Sequence, residues 1–91
     1  MHAVIIRETG DPEALEGWAT YLEVAGIPRT TRAPGIVSAI WTTDASSEVL
    51  SVLVFDNEDA AQSASEEIQK MPAVGGMSLE GVQVFKVVDR I

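Results

Sequence analysis

Two apolar runs separated by a short polar break constrain the fold of this chain most strongly. The first run, Ile36 to Thr43, is rich in β-branched and aromatic residues, and the second covers Glu48 to Phe55. Two runs of this kind, joined by a few polar residues, are typical of a β-hairpin. Asp44 begins the break and can accept hydrogen bonds from the backbone just after it, which favours a turn at this point.

An amphipathic helix is predicted before the hairpin. Asp11 is a suitable N-cap for it, and Pro12 is a suitable first residue. The apolar stripe of this helix repeats at spacings of three and four and comprises Leu15, Trp18, Leu22 and Ala25. Gly26, followed closely by Pro28, predicts that the helix ends at a glycine in the left-handed conformation.

A second helix is predicted after the hairpin, with Asp56 or Asn57 as its cap and Pro72 beyond its end. Its predicted inner face consists of Ala60, Ala61, Ala64, Ile68 and Met71. Further strands are predicted at Ala3 to Arg7 and at Val82 to Val88. The order β-α-β-β-α-β predicts one domain over residues 1–91, with an α+β, ferredoxin-like fold. In this fold a four-stranded antiparallel sheet carries both helices on one face.

Both faces of the predicted sheet are apolar. The third strand alternates, with Leu50, Val52 and Val54 on one face and Val49, Leu53 and Phe55 on the other. Strict alternation in the second strand predicts Ile36 and Trp41 on opposite faces. Helices cover only one face, and leaving roughly six to eight such side chains in water would forgo on the order of 10 kcal/mol. We therefore expect a second copy of the chain to cover the other face, in a homodimer.

The charge balance and the absence of cysteine exclude several classes of function. Fourteen acidic and six basic residues give a formal net charge of −8, which repels a phosphate backbone, so no nucleic-acid partner is expected. The chain has no cysteine and therefore no disulfide or thiolate metal site. The apolar run at the N-terminus is too short for a signal peptide or a membrane span. We expect a cytoplasmic protein without a membrane partner.

Two stretches of the chain resemble the antibiotic biosynthesis monooxygenase-like superfamily. One is Ala33-Pro34-Gly35-Ile36-Val37 followed by Trp41, and the other is a strand end, Val-Phe-Asp, that runs into Asn57-Glu58-Asp59-Ala60-Ala61. The resemblance extends over nearly the whole chain in the order of elements. It implies a dimeric α/β barrel, in which the sheets of two protomers face each other, and a hydrophobic pocket between sheet and helices in each protomer. Activities in that superfamily include cofactor-free oxygenation of polycyclic aromatic substrates and oxidative haem breakdown.

The chain departs from the haem-degrading branch, which uses an Asn on the first strand and a late histidine that holds iron. Here the first strand has no Asn, and the only histidine is His2. The acidic cluster Asp56 to Asp59 lacks the spacing of a calcium loop and is explained by helix capping. We therefore expect no cofactor and no metal.

Candidate pocket residues are Trp41, Tyr21, Trp18 and Arg7. Both tryptophans are also suited to packing, Trp18 within the apolar stripe and Trp41 against the helices or a partner subunit. Tyr21 lies one position off the stripe and can present its hydroxyl at a pocket edge. Arg7 can bind an anionic substrate group or pair with an acid on a neighbouring strand. No well-placed general base is visible in the sequence, so catalytic residues stay unassigned.

Three functions fit these observations, and the residues alone do not decide whether the chain is an enzyme. The first is cofactor-independent oxygenation, or binding, of a small aromatic or apolar molecule. The second is a regulatory, amino-acid-binding module, which Asp11-Pro12 followed by Leu15 resembles, although Glu13 stands where such modules favour glycine. The third is an assembly module without a ligand.

Overall fold

The computed structural model describes residues 1–91 and has the predicted order of elements, with one further short helix before the second strand. The strands are β1 (His2–Thr9), β2 (Ile36–Thr43), β3 (Glu48–Phe55) and β4 (Ser78–Lys86). The helices are α1 (Pro12–Tyr21), α2 (Ile27–Thr31) and α3 (Glu58–Lys70), and a π-helical turn, Leu22–Gly26, joins α1 to α2. All strand pairs are antiparallel, in the order β2-β3-β1-β4. The predicted ferredoxin-like α+β fold is therefore confirmed. No helix has the length and hydropathy that crossing a membrane requires.

Helices α1 and α3 begin at the predicted capping residues. The Asp11 carboxylate accepts a hydrogen bond from the backbone N–H of Ala14 at 2.8 Å. Between the two caps predicted for α3, Asn57 is the one that acts, because its side-chain oxygen accepts from the N–H of Ala60 at 2.8 Å. Each cap satisfies a backbone donor that the first helical turn leaves without a partner.

The helical segment does not end at Gly26, and that prediction is wrong. Gly26 is right-handed, with φ −64° and ψ −50°, and the chain continues directly into α2. The N–H of Ile27 bonds to the carbonyl of Leu22, which widens the helix by one residue just before Pro28. Pro28 then lies in the first turn of α2, where its missing N–H costs little. A Cβ at position 26 would lie 2.9 Å from Cδ2 of Leu22, so a larger residue there would require the Leu22 side chain to shift.

Two strand details also differ from the prediction. The register of β2 against β3 shifts between Ile36 and Ser38, and this bulge brings Ile36 to the same face as Trp41. Strand β4 begins and ends earlier than predicted, because it pairs with β1 from Thr9 to His2. Val88, which was assigned to the strand, lies beyond it and is almost fully exposed.

The hairpin between β2 and β3 is built as predicted. The Asp44 carboxylate accepts three backbone hydrogen bonds, from Ser46, Ser47 and Glu48, each at 2.9 Å. These three donors hold the pKa of Asp44 well below its ordinary value of 3.8. They also fix the turn in which Ala45 has a positive φ of 64°.

Replacing Asp44 with Ala should lower the melting temperature at neutral pH, because three backbone donors lose their acceptor. The folded state depresses the pKa of Asp44, so its contribution to stability exists above the ordinary value and disappears as the pH falls below it. Thermal unfolding of wild type and Asp44→Ala should therefore differ at neutral pH and converge in acid. Asp44→Asn keeps one acceptor oxygen and is the matched control, with an intermediate melting temperature. A constant difference across the pH range would contradict this account.

The two faces of the sheet have different surroundings. Helix α3 packs closely on β1, β3 and β4, which its small inner residues allow. The buried residues divide into two clusters, one around Val4, Leu53 and Phe55 and the other around Leu15, Trp18 and Val49. The opposite face, which we call the outer face, has no covering element. Its apolar residues include Ala3, Ile5, Ile40, Leu50, Val52, Val54 and Phe85.

Candidate functional site

A cavity of about 180 Å³ lies between the two core clusters and is partly open to solvent. Its wall takes residues from both clusters, and two thirds of the lining residues are hydrophobic. Trp41 packs against both clusters and so spans the gap between them. The buried part of the wall is mostly apolar and includes Ile6, Trp18, Leu53 and Phe55.

Three of the four candidate pocket residues line this cavity. They are Trp18, Tyr21 and Trp41. Trp18 is buried and packs with Leu15, so it serves the core and the cavity wall together. Arg7 does not line the cavity, because alternation along β1 turns it to the outer face, opposite Leu50. Its side chain is exposed there and is separated from the cavity by the sheet.

The acid Glu8 was missed by the sequence analysis and lies on the cavity wall. It follows Val4 and Ile6 on the helix-covered face of β1, since every second residue shares a face. This alternation is the signal that could have identified it. Burial raises the pKa of Glu8 above its ordinary value of 4.5. Glu8 has no ion-pair partner, because the one ion pair of the structure joins His2 and Glu58.

A β-bulge adjoins Glu8 and determines what stands opposite it. The register between β1 and β4 shifts after Arg7, so Glu8 faces Leu79 rather than Glu80. Glu80 is turned aside, and its carboxylate accepts a hydrogen bond from the Thr9 hydroxyl at 2.8 Å. Bulges are frequent beside active sites, where they redirect a side chain. Here the bulge separates two acids that regular pairing would place together, and Leu79 lines the cavity instead.

Ser51 contributes a polar group to the wall. It is 2 % exposed and stands opposite Ile6 on β1 and Trp41 on β2. A serine hydroxyl can donate to one ligand oxygen and accept from another group. The aromatic surface of the cavity thus adjoins the Glu8 carboxylate and the Ser51 hydroxyl.

The cavity opens at a polar margin, which we call the rim and define as Arg29, Glu67 and Lys70. Arg29 and Glu67 line the cavity itself. A shallow depression adjoins it and shares all its lining residues with the cavity except Lys70. Tyr21 belongs to both, so it stands at the boundary between the cavity and the rim.

The single histidine, His2, lies outside the cavity. Nε2 of His2 is 3.5 Å from a carboxylate oxygen of Glu58, at the start of α3. His2 is not among the cavity-lining residues. No group of three or more histidine, aspartate or glutamate side chains is arranged to hold a metal ion.

A solved structure has the same fold as this chain. It is the crystal structure of a monooxygenase from the gene ActVA-Orf6 of Streptomyces coelicolor, in complex with the ligand nanaomycin D, and the TM-score is 0.64. The match covers 99% of this chain and 89% of that one, at 13% sequence identity, which shows the fold alone. No family model and no curated protein matches the sequence. The chain therefore shares its ferredoxin-like fold with that monooxygenase, as its resemblance to the antibiotic biosynthesis monooxygenases predicted.

Proposed function

We propose that this protein is a cofactor-independent monooxygenase that binds a small phenolic aromatic molecule in the cavity and uses Glu8 as its general base. The observation that carries the proposal is the partly buried carboxylate of Glu8, which has no ion-pair partner, on a wall that is otherwise largely aromatic and aliphatic. Likeness of fold to a monooxygenase supports it. Desolvated acids in clefts are frequent at catalytic sites.

The dimensions of the cavity indicate the size of the ligand. An apolar cavity of about 150 Å³ accommodates benzene, and this one has about 180 Å³. One aromatic ring therefore fits inside, against Trp18, Trp41 and Phe55, which offer faces and edges for stacking. Further rings of a larger ligand extend through the open side.

Glu8 has the properties of a base for a weakly acidic phenol. Removal of a phenolic proton is most effective when the pKa of the base lies close to the working pH. Partial burial raises the pKa of Glu8 toward that range. The Ser51 hydroxyl is available to hydrogen-bond to the resulting phenolate oxygen. Exclusion of water by the apolar wall strengthens both interactions.

The reaction needs only molecular oxygen as oxidant. The phenolate passes one electron to O2, and the two radicals combine to form a C–O bond at the ring carbon para to the oxygen. The peroxide anion recovers the proton held by Glu8. Glu8 then removes the hydrogen of that carbon as a proton, its C–H electrons form the new C=O bond, and the O–O bond breaks to release hydroxide. Hydroxide takes the proton back from Glu8, so that phenol and O2 give quinone and water.

The proposed assembly is a homodimer in which the outer faces of two sheets meet. Support comes from the exposure of apolar side chains there, including Ile40 at 62 % and Phe85 at 47 %. A contiguous apolar surface of this kind is usually an interface.

The cytoplasmic location expected from the sequence also stays a prediction.

Oxygen uptake tests the proposal. Anthrone, whose enol tautomer is a phenol, should be oxidised by the purified protein in air, without added cofactor, well above the rate in buffer. Naphthol should quench the emission of Trp18 and Trp41, the two tryptophans of the chain, because both line the cavity. Quenching without oxygen uptake would contradict the enzymatic proposal and favour a binding module. If no compound in aromatic and amino-acid libraries produced quenching or oxygen uptake, the result would favour the assembly role.

A further inference from the structure

The rim is unusually basic for this protein. The whole chain has 14 acidic and only 6 basic residues, so cations are scarce. Two of the six, Arg29 and Lys70, stand at the opening, where Glu67 is the single acid. Arg29 lies in the last turn of α2 and Lys70 in the last turn of α3, so two separate helices converge there.

These rim cations are not engaged within the chain. The one ion pair of the structure, between His2 and Glu58, involves no rim residue. Arg29 is exposed and also belongs to the cavity wall, so its guanidinium is available to a ligand seated there. A guanidinium presents parallel N–H donors that match the two oxygens of a carboxylate.

We propose that the aromatic ligand carries a carboxylate, which binds Arg29 at the rim, with Lys70 contributing to the attraction, while the ring occupies the cavity. This inference rests on the proposed function, since it uses the same cavity, and it narrows the substrate class to aromatic acids. Glu8 and Glu67 both line the cavity and repel an anion. The ligand carboxylate therefore extends toward Arg29 and Lys70 at the rim, where Glu67 is the only acid, and away from Glu8.

A matched ligand pair isolates the charge. A hydroxynaphthoic acid and its methyl ester present the same ring system and differ in the carboxylate. Titration of tryptophan fluorescence at neutral pH gives the dissociation constant of each. The wild-type protein should bind the acid about fivefold more tightly than the ester, as expected for a partly exposed, charge-assisted contact. Added salt should reduce this preference and leave ester binding nearly unchanged.

Variants assign the preference to the rim. Arg29→Gln should abolish the preference and retain ester affinity within about twofold, because it removes only the charge-assisted bond. Glu67→Gln should increase the preference, because it removes a like charge. Arg32→Gln is the matched control, since Arg32 follows α2, is exposed and does not line the cavity. It should behave as the wild type does.

The outcomes separate this inference from the proposed function. Equal affinity for acid and ester, or a preference that survives in Arg29→Gln, would overturn the rim assignment and leave aromatic binding intact. Binding of neither ligand would overturn both. Circular dichroism of each variant checks folding. If Arg29→Gln loses structure, the same acid and ester titrations are made with Arg29→Lys. That variant keeps the charge without the paired donors, and it should retain a reduced preference.

Discussion

Glu8→Gln should reduce kcat/KM for oxygen-dependent turnover of anthrone by about 100-fold or more, which is the usual contribution of a general base. The amide has nearly the shape of the carboxylate and cannot accept the phenolic proton. Binding should persist, because the aromatic wall is unchanged, and naphthol should still quench tryptophan emission with similar affinity. A loss of turnover with retained binding would assign Glu8 to the chemical step.

The matched control for this variant is Glu80→Gln. Glu80 lies on the neighbouring strand, beside the bulge, but its carboxylate bonds to Thr9 and does not line the cavity. Turnover by this control should equal that of the wild type. In the wild type, the rate should rise with pH as Glu8 ionises, with a midpoint above the ordinary glutamate value of 4.5. The rise should be absent from the residual activity of Glu8→Gln. Equal rates for Glu8→Gln and wild type would remove Glu8 from the mechanism.

Stability gives a second, independent readout for Glu8. Its pKa is raised in the folded state, so the folded protein holds the proton more tightly than the unfolded chain does. The stability contributed by this group is therefore present in acid and is lost as the pH rises through the folded-state pKa. Glu8→Gln should melt at or above the wild-type temperature at neutral pH, and the gain should vanish in acid. An unstable variant would indicate a structural role for Glu8 instead.

Leu53→Lys should unfold the chain, whereas Ile40→Lys should leave it folded and split the dimer. Leu53 is 6 % exposed and belongs to the core cluster beneath α3. An unpaired cation at such a site costs at least the roughly 3–5 kcal/mol of a large core deletion, a large part of the total stability of a small domain. Ile40 lies on the outer face and is 62 % exposed in the single chain, so a lysine there disturbs only the proposed interface.

Light scattering and circular dichroism distinguish the two variants. The wild type should scatter as twice the chain mass of 9.7 kDa. Ile40→Lys should retain its circular dichroism and scatter as a single chain. A fully folded dimer of Ile40→Lys would contradict the outer-face interface. A fully folded Leu53→Lys would contradict the assignment of the two faces of the sheet.

The order of elements and most of their bounds followed from local chemistry. The hairpin was predictable because β-branched runs and the Asp44 turn agree with each other. Gly26 and Pro28 misled the prediction, because their usual meaning as a helix end assumes regular α-helical spacing. In the structure a π-helical turn at Leu22–Gly26 replaces that regular spacing, and the chain continues into α2.

The candidate site was harder to predict than the fold. Trp18, Tyr21 and Trp41 were predictable as wall residues because large aromatics near a sheet edge or helix face are suited to a pocket. Glu8 was not identified, although simple alternation from Val4 and Ile6 places it on the inner face. Its significance depends on the gap between two core clusters and on the bulge that brings Leu79 opposite it. Both are tertiary features.

Labelling with oxygen-18 gas tests the central claim most directly. The wild-type protein is mixed with anthrone in buffer under labelled O2, without cofactor, and the quinone is analysed by mass spectrometry after brief reaction. The account predicts that each new quinone molecule carries one labelled oxygen atom, that one O2 is consumed for each, and that no hydrogen peroxide accumulates. Unlabelled quinone, stoichiometric peroxide, or formation at the rate of buffer alone would contradict it.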